Sequence, residues 1–254
     1  MKITKIKVLK NKVSITFDNK SKINIDKDVY SNFYLYENKE MSKKEYDSLL
    51  SLNDSNALLQ YALKLRSKAL YSEYQMREKL YKKDAKKSDV DKVIKLLKEY
   101  DLINDSAYAE ELMEYYNTLN YGKNKIIHKL SDKGIFDKEI NKLKFPVSKE
   151  RSKAKSLLPK FEKKYEKYNC KQKKAHIYNA YLEYGFDIEL ASEMSNNIKE
   201  ASSKDELKKL EIDASKARLR LARKYKGREV IKQKMIQSLL QKGYKMSDIL
   251  KVVK

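Results

Sequence analysis

Three pairs of carboxylates in the chain have a spacing that could hold a metal ion. The pairs are Asp89 with Asp91, Asp137 with Glu139, and Asp187 with Glu189. Carboxylates two positions apart can hold Mg²⁺ in a nuclease. Each pair, however, follows a position at which a helix is predicted to end. The pairs are therefore expected to begin the next helix, where a carboxylate accepts backbone N–H groups. The pairs therefore favour helix capping, and we expect no metal, no cofactor and no enzymatic activity.

Other residues that commonly carry chemistry are scarce. His128, His176 and Cys170 are the only histidines and cysteine, too few and too far apart for a compact metal site. Five glycines do not form a phosphate-binding loop. One cysteine cannot form an intramolecular disulfide, and the chain lacks an apolar run long enough for a membrane span. We therefore expect a cytoplasmic, monomeric protein without a membrane partner.

Basic residues are the strongest chemical signal. Lysine and arginine outnumber aspartate and glutamate by 58 to 36, which gives a formal net charge of +22. Residues 149–174 hold eleven basic and three acidic residues, and residues 216–234 hold nine basic and one acidic. So many positive side chains repel one another and destabilise the fold unless an anionic partner neutralises them. A lysine-rich composition without a binding role is the other interpretation, but the clustering favours a polyanion, with nucleic acid first.

Basic side chains on helices can neutralise phosphate groups. The residues that we expect to bind the partner are Arg66, Lys68, Arg77, Lys79, Lys123, Lys125, Lys174, Arg218, Arg220, Arg223, Lys224 and Lys232. The sequence contains an internal repeat in which Leu130, Tyr181 and Leu239 occupy the same position. Lys123, Lys174 and Lys232 each lie seven residues before one of these. A curved array of repeats would present them as a row.

The first fifty residues differ from the rest because apolar and polar side chains alternate there, as in half-buried strands. The predicted strands are residues 3–9, 13–17 and 23–25, with turns at 11–12 and 18–21. Ser42 is expected to cap a short helix, and the polar residues 53–56 are expected to end it. The sequence thus predicts a small antiparallel unit over residues 1–55.

Beyond residue 56 the helical period takes over, and the helices repeat. The repeat aligns Leu80, Leu130, Tyr181 and Leu239, and four residues later Asp84, Gly134, Gly185 and Gly243. Glycine readily takes the left-handed conformation that ends a helix, whereas Asp does so reluctantly. We predict a second helix after each, bearing Val90, Leu143, Met194 or Val252. The fold class is therefore mainly α, with tandem three-helix repeats in an elongated curved array, over residues 56–102, 103–146, 147–203 and 204–254.

Two strings of residues resemble those of the RecX family of regulatory proteins. The first is SEYQMREKL at residues 72–80, and the second is LINDSAYA at residues 102–109. A third element, LSDKGI at residues 130–135, is similar to the lysine-glycine ending of the family's second repeat. Asn104 stands where the family usually has Asp. The resemblance covers about residues 57–143, and the later part of the chain is similar through the repeat positions alone.

The resemblance implies a protein that binds the RecA recombinase filament on single-stranded DNA and modulates it, usually as an inhibitor, in DNA repair, recombination and the SOS response. Two alternatives stay open from the residues themselves. One is a general nucleic-acid-binding helical protein that contacts the phosphates of single-stranded or duplex DNA or RNA. The other is a magnesium-dependent nuclease that uses the carboxylate pairs.

Overall fold

The protein is described here from a computed structural model that covers residues 1–198 and 202–253. It is mainly helical, with one small sheet near the N-terminus. The helices in that part of the chain are α1 Lys27–Asn32, α2 Lys43–Arg66, α3 Glu73–Tyr81, α4 Lys87–Glu99, α5 Asp105–Thr118, α6 Lys123–Asp132, α7 Asp137–Ile140, α8 Val147–Lys164, α9 Cys170–Glu183, α10 Ile188–Asn196, α11 Ser203–Ala222, α12 Arg228–Gln241 and α13 Met246–Val252. The predicted fold class, mainly α with an N-terminal antiparallel unit, is confirmed.

The sheet has three antiparallel strands in the order β1-β2-β3. These are β1 Ile3–Val8, β2 Lys12–Phe17 and β3 Lys22–Asp26. Because side chains alternate between the two faces of a strand, Val13, Ile15 and Phe17 all point to one side and are buried. They form one core with Val29 of α1 and Leu49 of α2. The three predicted strands are confirmed.

Helix α2 begins where the sequence predicts and ends much later. Ser42 and Glu45 form a capping box, with each side chain bonded to the other residue's backbone N–H. The predicted polar break at residues 53–56 is wrong, because the helix continues to Arg66. Asn53 accepts the N–H of Asp26, and Asn56 donates to the carboxylate of Asp26, both at 2.9 Å. The polar residues therefore bind the end of the sheet and do not end the helix.

The recurring helix-ending position takes the predicted backbone conformation in every repeat. The φ angles are +54° at Asp84, +73° at Gly134, +87° at Gly185 and +94° at Gly243. A further helix follows each of these positions. In the second repeat that helix, α7, ends at Ile140, so the prediction that it carries Leu143 is wrong.

The helices form cores in consecutive groups. Helices α2, α3 and α4 share one core around Leu80, helices α8, α9 and α10 share another around Tyr181, and α11, α12 and α13 share a third around Leu239. The bounds given above for the four repeats stay a prediction. Residues 199–201 and 254, where the predicted third and fourth repeats run to their ends, lie outside the described residues.

Contacts divide the chain into two compact units, and each is described by itself. One unit comprises Met1–Glu110 and Ser131–Ile140, and the other comprises Glu111–Leu130 and Asn141–Lys254. Within the described ranges, none of the helices has the length and apolar character that a bilayer span requires.

Candidate nucleic-acid interface

Arg77, a predicted binding residue, is held by two carboxylates. Its guanidinium lies 2.8 Å from Glu73 and 2.5 Å from Asp91. Partial burial alone would lower the pKa of Arg77, but the hydrogen bonds that it donates to Asp91 and Glu73 raise it. The side chain therefore links α3 to α4 as a permanent cation, and its binding role stays a prediction.

Glu73, at the first position of α3, is the centre of this network. Lys98 also pairs with it, and its backbone N–H donates to Asp105 at 2.8 Å. Burial would raise the pKa of Glu73, but hydrogen bonds from Lys98 and Arg77 lower it. Burial raises the pKa of Asp105, and the backbone N–H of Glu73 partly offsets that effect. These groups stabilise the starts of α3 and α5, and they serve the fold of the first repeat.

The other three predicted residues of the first repeat differ in how free they are. Arg66 donates its Nε–H to the carbonyl of Leu102 at 2.8 Å, which fixes its side chain. The Lys79 ammonium lies 5.1 Å from the ring centre of Tyr71, a cation–π contact. Lys68 is exposed just beyond α2. Of this group, Lys68 is the most available to an outside anion.

A cluster of lysines and tyrosines lies around α6. The Lys125 ammonium is 4.6 Å from the ring centre of Tyr121 and 5.2 Å from that of Tyr184. Lys129 lies over Tyr121 at 5.7 Å, and Lys160 over Tyr184 at the same distance. Within the described residues these three ammonium groups pair with no carboxylate. We call Lys125, Lys129, Lys160, Tyr121 and Tyr184 the tyrosine–lysine cluster.

Two glycines position this cluster. Gly122 donates its N–H to the carbonyl of Tyr184 at 2.7 Å. A Cβ on Gly122 would lie 2.4 Å from the backbone of Gly185, so a larger residue does not fit. This close approach places the Tyr121 and Tyr184 rings edge to face, with centres 5.8 Å apart. Lysines held on such rings are already ordered, so binding a phosphate costs them less side-chain entropy than it costs a free lysine.

The basic window at residues 149–174 is less free than its composition suggests. Lys149 pairs with Glu114 at 3.0 Å, and Arg151 pairs with Glu193 at 2.8 Å. Lys153 is buried, pairs with Glu150 and donates to the carbonyl of Tyr121 at 2.7 Å. Much of the positive charge in this window therefore holds helices together.

Lys123, Lys174 and Lys232 lie at different positions within their helices. Lys123 is exposed at the first position of α6. Lys174 and Lys232 are half-buried at the fifth positions of α9 and α12. The second helix of the repeat is therefore longer at its start in the last two repeats. Their arrangement as a row stays a prediction.

The end of α11 carries a group of exposed cations. Arg218, Arg220, Arg223 and Lys224 are all exposed, whereas Leu221 between them is buried. None of the four pairs with a carboxylate in the described part of the chain. Arg220 donates to Ser238 at 3.2 Å, and the Lys224 ammonium lies 5.7 Å from the ring centre of Tyr225. We call Arg218, Arg220, Arg223 and Lys224 the α11 basic group.

The carboxylate pairs lie at the starts of helices, as predicted, but Asp187, at the N-cap of α10, does not make the predicted capping hydrogen bond. Asp89 is buried in the first turn of α4, where it accepts the Ser55 hydroxyl at 3.0 Å. Asp187 precedes α10 and accepts the Asn124 side chain at 3.0 Å. Among the described residues, no three His, Cys, Asp or Glu side chains are grouped so that they could hold a metal ion.

Comparison with known proteins identifies relatives over nearly the full length of the chain. Regulatory protein RecX of Streptococcus pneumoniae is 32% identical over 262 residues, which cover 98% of this chain and 97% of that protein. Regulatory protein RecX of Lactococcus lactis is 28% identical over 263 residues, covering 98% and 95%. The chain belongs to the RecX family. No family model matches it.

Solved RecX structures share the fold. A crystal structure of regulatory protein RecX superposes with a TM-score of 0.65 at 22% identity and covers 77% of this chain and 99% of its own. RecX from Lactobacillus salivarius has a TM-score of 0.53 at 25% identity and covers 57% and 96%. The two strings that carried the resemblance to RecX meet in the structure, where the Glu73 N–H donates to Asp105.

Sequence reasoning named some of the residues in the tyrosine–lysine cluster and the α11 basic group. It selected Lys125 and the whole α11 basic group, and its list of expected binding residues left out Lys129, Lys160, Tyr121 and Tyr184. Tyr121 precedes Lys125 by four residues, a spacing at which side chains near a helix start can meet. Lys160 and Tyr184 are distant in sequence, so no local pattern connects them.

Proposed function

We propose that this chain binds the RecA filament on single-stranded DNA and restrains its growth, its ATPase activity and strand exchange. The proposal rests on membership of the RecX family, whose matched relatives are named regulatory proteins. It acts by binding and needs no chemistry of its own. A ligand that binds one state of a filament more tightly than another shifts the filament toward that state.

The charge distribution supports this proposal. A filament of protein on DNA exposes phosphate groups, and the α11 basic group offers four exposed cations without carboxylate partners in the described residues. The tyrosine–lysine cluster adds three ordered ammonium groups. Both sets suit a polyanion, and neither requires a particular base sequence.

The second candidate is a general nucleic-acid binder that needs no recombinase. The same free cations favour it, because phosphate contacts alone give sequence-independent binding. The two candidates differ in stoichiometry. A filament modulator acts at the filament and needs few copies, whereas a competitor for DNA must cover the strand.

The deciding experiment is ATP hydrolysis by the cognate RecA on single-stranded DNA during titration with this protein. We expect hydrolysis to fall well before the added protein can coat the DNA. A variant with Arg218, Arg220, Arg223 and Lys224 all changed to Glu should require much more protein for the same effect, because it loses the α11 basic group.

A variant with the same change in net charge serves as the control. It replaces Lys5, Lys7, Lys10 and Lys12, which are exposed in the N-terminal sheet, with Glu. It should inhibit nearly as well as wild type if position matters more than total charge. If hydrolysis changes only when the DNA is saturated, the general nucleic-acid binder replaces the filament modulator.

A further inference from the structure

The starts of three helices dock in the same way on the repeat that follows each of them. In α3, α6 and α9, the first backbone N–H donates to a carboxylate near the start of the next repeat's first helix. The three bonds join Glu73 to Asp105 at 2.8 Å, Lys123 to Glu150 at 3.0 Å and Cys170 to Glu206 at 3.1 Å. Each carboxylate thus satisfies a helix N-terminus outside its own repeat.

A second bond accompanies each of these contacts. The residue before the helix donates to the carbonyl that directly precedes the recurring glycine of the next repeat. These bonds join Ser72 to Lys133 at 2.5 Å, Gly122 to Tyr184 at 2.7 Å and Asn169 to Lys242 at 3.0 Å. The same two-bond junction is therefore built three times.

The recurring glycine is needed at each junction for space as well as for its φ angle. A Cβ would lie 2.3 Å from Tyr74 at Gly134, 2.3 Å from Lys125 at Gly185 and 2.3 Å from Lys171 at Gly243. Side chains do not approach a Cβ so closely, and at Gly185 the nearest atom is backbone, which cannot move aside cheaply. A Cβ is therefore excluded by backbone at Gly185, whereas at Gly134 and Gly243 it would require the Tyr74 or Lys171 side chain to move.

The first repeat has residues that correspond to the acceptor half of this junction, and none of the described residues donates a hydrogen bond to them there. Asp54 lies four residues before the buried Leu58, as Glu206 lies four before the buried Leu210, although Asp54 stands in the middle of α2 whereas the other three carboxylates stand near a helix start. The Lys83 carbonyl directly precedes Asp84, which holds the recurring position. These residues line a cavity of about 420 Å³. We call Asp54, Lys83 and Asp84 the first-repeat socket.

The last repeat has the donor half, and it is open as well. Gly227 precedes α12 by one residue and lies twelve residues before Leu239, as Asn169 lies twelve before Tyr181. No side chain caps α12, and only Val230 lies within 4 Å of the place of a Cβ on Gly227. In the described residues no acceptor is found for the Arg228 N–H.

We propose that Asp84 keeps the α12 end of a second copy of this chain out of the first-repeat socket. The two halves supply the Arg228 N–H, the Asp54 carboxylate and the Lys83 carbonyl, but Asp84 carries a Cβ where the three occupied junctions have glycine. Its φ of +54° is one that glycine takes more readily, so Asp is not the residue that the backbone favours. The molecule thereby carries complementary surfaces that would join copies head to tail, as heterologous contacts do, and one side chain prevents it.

The test is sedimentation velocity of the full chain over a range of concentrations. Salt at about 0.5 M screens the repulsion between copies that each carry a large positive charge. Wild type should sediment as one species at all concentrations. Asp84→Gly should shift toward twice the monomer mass and beyond as its concentration rises. Asp84→Ala, which loses the carboxylate and keeps the Cβ, should behave as wild type.

Two further variants test the direction of the contact. In the Asp84→Gly background, Asp54→Ala removes the acceptor, and Arg228→Pro removes the N–H donor at a helix position that tolerates proline. Each double variant should stay monomeric alone, and a mixture of the two should form dimers and nothing larger.

Two results would overturn the proposal. One is an Asp84→Gly protein that is folded by circular dichroism and still sediments as wild type. The other is association of Asp84→Ala, which would mean that the carboxylate and not the Cβ blocks the socket. Neither measurement involves recombinase or DNA, so neither outcome bears on the function proposed above.

Discussion

Arg77 in α3 and Arg223 at the end of α11 are the same residue type in predicted binding positions, yet the structure uses them differently. Arg77 lies between Glu73 and Asp91, and its ion pairs with these carboxylates offset the free-energy cost of burying its charge. Arg223 is exposed and pairs with no carboxylate in the described residues. The comparison teaches that a basic residue predicts an anion-binding surface only where the fold has left its charge unpaired.

The largest effect that follows from this difference is on DNA affinity. Replacing the α11 basic group with Glu removes up to four phosphate contacts. For single-stranded DNA the salt slope of binding should therefore fall by about 0.7 for each lost contact, with an affinity loss on the order of a hundredfold in low salt. Fluorescence anisotropy with a labelled oligonucleotide at several salt concentrations measures both quantities. An unchanged slope would mean that the group does not touch phosphate.

The converse effect is on stability. Arg77→Ala leaves Glu73 partly buried with fewer partners, so the free energy of unfolding should fall by about 1–2 kcal/mol. Arg223→Ala is the matched control, and it should change the stability by less than about 0.5 kcal/mol. Urea denaturation followed by circular dichroism measures both. Equal losses in the two variants would remove the distinction between the two arginines.

The tyrosine–lysine cluster is a case between Arg77 and Arg223, because its lysines contact aromatic rings and not carboxylates. Tyr184→Leu keeps an apolar side chain against Phe161 but removes the ring face under Lys125 and Lys160. Each cation–π contact is worth roughly 0.5–1 kcal/mol, so DNA affinity should fall by a few-fold. Tyr178→Leu, on the neighbouring helix α9, is the control. A loss of stability without any loss of affinity would assign the cluster to the fold alone.

The smallest effect is on the pH dependence of stability. The pKa of Glu73 is lower than its ordinary value of 4.5 because Lys98 and Arg77 bind the carboxylate. Such a group stabilises the folded state above its unfolded pKa and loses that contribution as the pH falls through its folded pKa. Unfolding free energy should therefore fall more steeply below about pH 4.5 in wild type than in Glu73→Gln.

Asp105 contributes with the opposite sign, since burial raises its pKa, and it is present in both proteins being compared. Glu229→Gln, at an exposed residue of α12, is the control and should leave the wild-type slope unchanged. Urea titrations at a series of pH values measure the slopes. Parallel slopes for wild type and Glu73→Gln would show that the network does not depend on the charge of Glu73.

Features that depend on local chemistry could be predicted from the sequence. The strands follow from alternating side chains, and the positive φ angles follow from glycine at a fixed repeat position. Asp84 belongs to that series although it is not glycine, and the alignment of the repeats alone identified it. The capping role of Ser42 was equally readable, because its partner Glu45 lies in the same helical turn.

Features that depend on distant partners could not be predicted. The polar residues Asn53 and Asn56 were predicted to end the helix, because their partner, Asp26, lies far away in sequence. The same reason hid the pairing of Arg77 with Asp91 and the contact of Lys160 with Tyr184. Charge counts over a window miss such pairing, so they overstated the free charge near Lys153 and described the α11 basic group well.

Helix α2 gives the N-terminal sheet and the first repeat a common mechanical element. Leu49 in its first half is buried with the sheet, and Leu58 and Ala62 in its second half are buried with α3 and α4. Because the helix is continuous, local unfolding at its centre would expose both cores at once. The two regions should therefore unfold in a single cooperative step, with backbone amides on either side of residue 53 exchanging their hydrogens at matched rates.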